Sequence, residues 1–134
     1  MRHLALIGLV VLLSACAEVS TRNTQLDLTL IKYEKTLRWS SVEQTNQYRK
    51  EPIHFTSQQL AMFKKIKVTG YDVIQTSYRD DKVKQLQVIQ LVEVRYVNED
   101  TQVERKFSEQ QIWEWDKDTN RWWLVSPFPK ISLR

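Results

Sequence analysis

The chain carries two hydrophobic patterns, one with helical spacing before residue 65 and one with strand spacing after it. Leu26, Leu30, Tyr33 and Leu37 recur every three or four residues, which places their side chains on one face of an α-helix. Beyond Lys65 the chain changes to runs rich in Val, Ile, Tyr and Trp, separated by short polar segments. Such runs are typical of β-strands. The pattern therefore predicts an α+β domain whose helices precede its sheet.

Two capping signatures predict further helical segments between the first helix and the sheet. In Ser40-Ser41-Val42-Glu43, a serine hydroxyl and the glutamate are placed to satisfy backbone donors at the start of a second helix. That helix is predicted to end at Glu51-Pro52. Thr56-Ser57-Gln58-Gln59 repeats the signature and predicts one or two more helical turns. Trp39, at the end of the first helix, is expected to pack into the common core.

The second half predicts a four-stranded antiparallel meander with strands at 66–78, 83–97, 102–115 and 121–126. The second strand would be ~50 Å long if straight, which favours a strongly curved sheet. Ile89 and Leu91 interrupt the alternation of that strand, so either a bulge or the curvature of the sheet is expected to change which face is covered there. Gly70 lies inside the first strand, where it is expected to permit a bend or a close backbone approach.

The first sixteen residues have the pattern of an export signal. Met1-Arg2-His3 precedes an apolar run, 4–13, that is too short to span a membrane, which takes roughly 20 residues. The following Leu13-Ser14-Ala15-Cys16 resembles the lipobox of bacterial prolipoproteins. This resemblance implies cleavage before Cys16 and its modification with a diacylglyceryl group and a further acyl chain such as palmitate. A competing site, Ala15-Cys16-Ala17, fits ordinary secretory cleavage after Ala17 without any anchor.

The lipobox divides the chain into a signal peptide (1–15), an acylated tether (16–24) and a single periplasmic α+β domain (25–134). By resemblance to lipoprotein sorting, Ala17 in place of an aspartate favours the cell outer membrane, with the domain facing the periplasm. Because of Glu18, retention in the inner membrane stays an alternative. After removal of the signal, 19 basic and 16 acidic side chains remain, spread along the chain. This mild excess does not indicate nucleic-acid binding.

Several chemistries lack the residues they need. Phosphate-cradling loops require closely spaced glycines, and Gly70 stands alone after the signal. Cysteine and histidine metal sites are not expected. Cys16 is assigned to the lipid, and His54 is the one histidine left after removal of the signal peptide. Asp and Asn within 116–120 are typical of a hairpin turn rather than a calcium loop. The sequence therefore predicts no cofactor and no metal.

The order of elements, helices followed by long antiparallel strands and a tryptophan-rich hairpin, resembles the cone-shaped nuclear-transport-factor-two-like (cystatin-like) fold. The resemblance covers most of residues 25–128. It implies a strongly curved sheet that wraps the helices and leaves a pocket at its open end. It does not fix an activity, because members include enzymes, secretion-system components and binding proteins. Dimerisation through the open sheet face is common in that fold and is left open here.

Two sets of residues are candidates for function. His54 would act as a general base with Asp72 or Glu93 if these lined a pocket, and would otherwise be a surface or hydrogen-bonded residue. Trp113 and Trp115 share one strand face and would stack on a glycan if exposed, or fill the core if buried. We predict a non-enzymatic envelope lipoprotein that binds or assembles with a protein partner. The alternatives are a glycan or small-molecule pocket and a small enzyme.

Overall fold

The computed structural model describes residues 2–80 and 86–132, with side chains from residue 17 onward. It contains a long helix, a short 3₁₀ helix, a second helix and four strands. Their bounds are α1 Arg2–Trp39, the 3₁₀ helix Glu43–Tyr48, α2 Ser57–Phe63, β1 Ile66–Asp80, β2 Leu86–Asn98, β3 Glu104–Asp116 and β4 Arg121–Leu124. The predicted α+β class, with helices before a four-stranded antiparallel sheet, is confirmed.

Helix α1 extends through residues 16–24, the segment that was expected to be a tether. Its buried face carries Leu26, Tyr33 and Leu37, as the spacing predicts. Trp39 is 74 % exposed, so its predicted packing into the core is wrong. It lies two residues beyond Leu37, and a helix turns by about 200° over that distance, which directs the two side chains to opposite faces. Within the described residues no helix is both long and apolar enough to cross a membrane.

The second capping prediction is confirmed and the first is wrong. Thr56 accepts a hydrogen bond from the Gln59 amide (3.2 Å), and the Gln59 side chain accepts one from the Thr56 amide (2.8 Å). Ser40, by contrast, donates its amide to the Thr36 carbonyl and so belongs to the end of α1. The segment that follows forms a 3₁₀ helix, which has no side-chain cap at Val42.

The sheet has the order β1-β2-β3-β4, with every neighbouring pair antiparallel. It is open and not strongly curled, so the predicted strong curvature is wrong. Helix α1 packs on one face, called the inner face here, and the opposite outer face carries solvated ion pairs. A layer that covers only one face does not require the sheet to wrap around it.

The strand irregularities lie in β1, and the bulge predicted in β2 is not observed. β2 alternates regularly, and Ile89 and Leu91 lie on its outer face. In β1 the register shifts twice, so that Thr69 and Ile74 are extra residues relative to β2. At Gly70 the predicted close approach comes from a side chain rather than a backbone, because an added Cβ would lie 2.5 Å from Arg95 Nε.

The core lies between α1 and the inner face of the sheet. Its aromatic centre is Trp113, whose ring meets Tyr33 of α1 edge-on at a centroid distance of 5.3 Å. Trp122 adds a polar contact, because its Nε1 donates to the Arg22 carbonyl (3.0 Å). This bond ties α1 to the sheet from residue 22 onward. Among the described residues the largest fully buried side chains are Trp113, Trp122, Leu124, Gln111, Val88, Val92, Val94 and Thr45.

Candidate functional site

Of the residues proposed for general-base chemistry, the two carboxylates are neighbours on the sheet, and His54 lies in a different segment of the chain. His54 is exposed in the segment between the 3₁₀ helix and α2. Asp72 and Glu93 are cross-strand neighbours on the outer face, where Asp72 pairs with Arg95 (3.0 Å) and Glu93 with Lys106 (3.0 Å). In the described part of the chain neither carboxylate is hydrogen-bonded to His54. The three side chains therefore do not form a catalytic pocket.

Trp113 and Trp115 do not form an exposed platform for a sugar. They lie on the inner face of β3 with 0 % and 6 % of their surface exposed. Trp115 packs against Trp122 at a ring-centroid distance of 5.5 Å. Of the two alternatives that the sequence left open for these residues, the structure shows core packing. Within residues 17–80 and 86–132 no cluster of three His, Cys, Asp or Glu side chains is placed to hold a metal ion.

A buried polar cluster lies beneath α1 and was not predicted. Gln111 donates to the Tyr71 hydroxyl (3.0 Å) and to Glu109 (3.1 Å), and its oxygen accepts from Trp113 Nε1 (3.2 Å). Arg49 donates Nη1 to the Ser126 carbonyl (2.6 Å). The alternation of Glu109, Gln111, Trp113 and Trp115 along β3 was a signal for this arrangement, because residues two apart share a strand face.

The cluster contains buried charged groups whose hydrogen bonding is incomplete. Arg49 and Glu109 are each 4 % exposed, and Arg49 Nε, Arg49 Nη2 and Glu109 Oε1 have no hydrogen-bond partner within the described part of the chain. Burial raises the pKa of Glu109, although the Gln111 hydrogen bond and the charge of Arg49 oppose the change. Burial also lowers the pKa of Arg49 and raises those of Tyr33 and Tyr71. Burying charged groups with unpaired polar atoms in this way costs stability.

Replacing Glu109 with Gln is expected to stabilise the protein at neutral pH and to have little effect in acid. Because the folded-state pKa of Glu109 is raised, the folded protein binds this proton more tightly than the unfolded chain. That contribution is present below the ordinary carboxyl pKa and is lost as the pH rises through the raised value. Thermal unfolding of both proteins between about pH 4 and about pH 8 measures the difference.

Glu104→Gln is the matched control, because Glu104 lies on the same strand and is exposed. Its unfolding midpoint should follow that of the wild type across the pH range. A midpoint difference between Glu109→Gln and the wild type that stays constant with pH would contradict a raised pKa for Glu109.

The second half of β1 forms an exposed strand edge, called here the β1 edge segment and comprising residues 73–78. Its sequence, Val-Ile-Gln-Thr-Ser-Tyr, carries no charge, and all six residues are exposed. Val73, Ile74 and Tyr78 expose 48 %, 61 % and 72 % of their surface. β1 is at one end of the strand order, so among the residues that the structure describes its far side has no partner strand. Both the backbone groups and the apolar side chains of this segment are therefore free to pair.

The exposure of the β1 edge segment follows from where the helical layer ends. Val73, Thr76 and Tyr78 are on the inner face, opposite Val92, Gln90 and Val88 of β2. The three β2 residues are buried, whereas their β1 neighbours are exposed. A cavity of about 470 Å³ between α1 and these strands reaches Tyr78. The core layer thus covers β2 and stops before the second half of β1.

The other stretches of sheet edge are protected. The start of β1 follows Lys64 and Lys65 and includes Lys67, and lysines discourage edge-to-edge pairing. At the opposite end, β4 has four residues, and the Lys50 amide donates to the Leu124 carbonyl (3.2 Å). Proteins usually shorten, charge or cover strand edges, because unpaired edges bind other chains. The β1 edge segment is not short, carries no charge and is not covered by any described residue, so it is the candidate interaction surface.

No protein-family model, curated protein or solved structure matches this chain. Function is therefore inferred from its own residues and surfaces.

Proposed function

We propose that the chain is a lipid-anchored lipoprotein of the bacterial cell envelope whose periplasmic domain binds a protein partner and is not an enzyme. The observation that carries the binding role is the β1 edge segment, which is long, uncharged and uncovered. The sequence supports the anchor through the lipobox-like Leu13-Ser14-Ala15-Cys16 and the outer membrane through Ala17. No observation specifically favours the enzyme or glycan alternatives.

The path of α1 bears on how an anchored domain would meet the membrane. The Cys16 side chain lies outside the described residues, but the helical backbone passes through position 16. Arg22, whose carbonyl accepts a hydrogen bond from Trp122, is six residues further along. At 1.5 Å per residue these positions are ~9 Å apart along the axis if the helix persists after cleavage. A short helical connection would hold the domain close to the lipid surface.

A strand edge supports binding through the addition of an extended segment from another chain. Main-chain hydrogen bonds supply affinity in this mode, and alternate side chains supply specificity. Anchoring in one leaflet raises the effective concentration of both partners, which favours a modest edge-to-edge contact. The cone-fold resemblance stays a prediction and carries no part of this proposal.

The anchor is tested by labelling cells with an alkyne analogue of palmitate and fractionating their membranes. We expect label on the wild-type chain and its recovery with membranes, and loss of both in Cys16→Ser. The matched control combines Cys16→Ser with Ser20→Cys, which restores a thiol at a position without the lipobox and should not restore labelling. Labelled, membrane-bound Cys16→Ser protein would overturn the lipoprotein assignment.

The binding role is tested by placing a photoreactive amino acid at Gln75 in the anchored protein and irradiating living cells. Gln75 lies in the β1 edge segment, and the matched position, Gln110, is exposed on the interior strand β3. We expect a discrete crosslinked product from position 75 and none from position 110. Absence of a product from position 75 would overturn binding at this edge.

A further inference from the structure

We propose that the partner at the β1 edge segment is a second copy of this chain, paired antiparallel about a two-fold axis through Thr76. This inference rests on the proposed binding role of that edge and adds the identity of the partner. The inference depends on residues 72–79. When two copies of this segment are paired antiparallel, the faces and the charges of one copy match those of the other.

The bulge at Ile74 determines which residues of the β1 edge segment lie on the inner face of the sheet and which lie on the outer face. Because Val73 opposes Val92 and Gln75 opposes Leu91, Ile74 is an extra residue between them. After the bulge, Thr76 returns to the inner face, where it accepts a hydrogen bond from the Gln90 side chain (3.3 Å). The inner-face residues are therefore 73, 76 and 78, and the outer-face residues are 72, 75, 77 and 79.

A two-fold axis perpendicular to the sheet must pair residues that share a face. With the axis at Thr76, each Thr76 opposes its copy and Gln75 opposes Ser77. The two bulges then fall at equivalent places on both strands, so that Val73 opposes Tyr78. All of these pairs join residues on the same face of the continuous sheet. Each bulge opposes the regular stretch 77–78 of the other copy, so this register contains two equivalent bulges, one on either side of the axis.

The same register places opposite charges at both ends of the segment. Asp72 of each copy opposes Arg79 of the other on the outer face, and both side chains are exposed. Opposite charges directly across an antiparallel pair stabilise it, whereas like charges destabilise it. Moving the axis to Gln75 or Ser77 removes both charge pairs. The charges therefore select one register, which an arbitrary peptide strand would not explain.

The pairing would also cover the apolar surface that the fold leaves exposed. Val73 and Tyr78, 48 % and 72 % exposed in one copy, would face each other across the new strand pair on the inner side. The result is one eight-stranded antiparallel sheet with the β4 edges at its ends. Those edges are short and covered by residues 49–50, so the assembly stops at two copies.

The test is charge reversal in the full lipidated chain, purified in detergent, with the dimer dissociation constant measured by analytical ultracentrifugation. Asp72→Arg and Arg79→Asp should each weaken dimerisation roughly tenfold, because each places two like-charged pairs across the axis. The double variant Asp72→Arg/Arg79→Asp should dimerise more tightly than either single variant, because it reinstates opposite charges across the axis, although it also removes the Asp72–Arg95 ion pair within each copy. Arg105→Asp, on β3 and separated from the edge by β2, is the control that should change nothing.

A cysteine at the axis provides a second readout. Thr76→Cys should form an intermolecular disulfide on mild oxidation, whereas Gln110→Cys should not, because only residues on the axis oppose their own copy. Monomeric wild-type protein at all concentrations, or single and double charge variants that dimerise equally, would overturn self-pairing.

The crosslink from Gln75 separates failure of this inference from failure of the proposed function. A product of twice the mass of the mature chain supports self-pairing. A product with a different protein overturns self-pairing and leaves the binding role intact. No product overturns both.

Discussion

Replacing Trp113 with Ala is expected to lower the free energy of unfolding by about 4 kcal/mol. The side chain has no exposed surface, meets the Tyr33 ring edge-on and donates Nε1 to the buried oxygen of Gln111 (3.2 Å). Truncation removes this packing, leaves a cavity beneath α1 and leaves Gln111 without that donor. Urea unfolding of the purified full chain, followed by circular dichroism, measures the loss.

Trp39→Ala is the matched control, because Trp39 is 74 % exposed and its described contact is the Arg38 guanidinium lying over its ring. We expect it to change the free energy of unfolding by less than about 0.5 kcal/mol. If the two variants were destabilised equally, the placement of Trp113 at the centre of the core would be wrong.

The contrast between these tryptophans shows how far local patterns determine the fold. The helical repeat of Leu26, Tyr33 and Leu37 and the capping box at Thr56 are short-range signals, and both describe the structure correctly. Trp39 was misplaced because it lies on the helix face opposite Leu37, and Ser40 was misplaced because its amide bonds to the Thr36 carbonyl at the end of α1 and does not begin a new helix. Two positions along a helix reverse the direction of a side chain, so closeness in sequence to a core residue does not predict burial.

The interaction surface was harder to predict for a different reason. Val73, Ile74 and Tyr78 form an ordinary strand pattern, and such residues are usually buried. Their exposure depends on how far the core layer extends across the sheet, which is a tertiary feature that no local spacing encodes. The bulge at Ile74, which sets the proposed register, is also visible only in the pairing of β1 with β2.

The buried cluster could have been anticipated in part. Glu109 and Gln111 have the same parity as Trp113 and Trp115, so the strand period places all four on one face. Arg49, however, reaches the cluster region from the segment after the 3₁₀ helix, and its contact with Ser126 spans 77 positions. Strand periodicity identifies which residues share a face, but it does not identify the partner that comes from a distant segment.

Replacing Arg49 with Met is expected to lower the free energy of unfolding by about 3 kcal/mol at neutral pH. The change leaves the buried Ser126 carbonyl without its donor and Glu109 without the nearby positive charge that lowers its pKa. It also removes the guanidinium that lies over the Phe128 ring at 5.4 Å. Urea unfolding at neutral and acid pH measures both the size and the pH dependence of the loss.

Arg121→Met is the matched control, because Arg121 also lies over an aromatic ring, that of Trp123 at 4.0 Å, and donates to a backbone carbonyl, that of Gln47 at 2.9 Å. This arginine is exposed, so we expect its replacement to cost less than about 1 kcal/mol. A loss equal to that of Arg49→Met would show that burial of the Arg49 charge contributes nothing.

The double variant Arg49→Met/Glu109→Gln separates the two contributions of Arg49. Without Arg49, the pKa of Glu109 should rise further, so the loss in the single variant should grow as the pH rises from acid to neutral. With Gln at position 109 that pH-dependent part should disappear, and the remaining loss should reflect the missing Ser126 hydrogen bond and packing. If the double variant kept the pH dependence of Arg49→Met, another titrating group would be responsible, and the electrostatic coupling between Arg49 and Glu109 would be excluded as its cause.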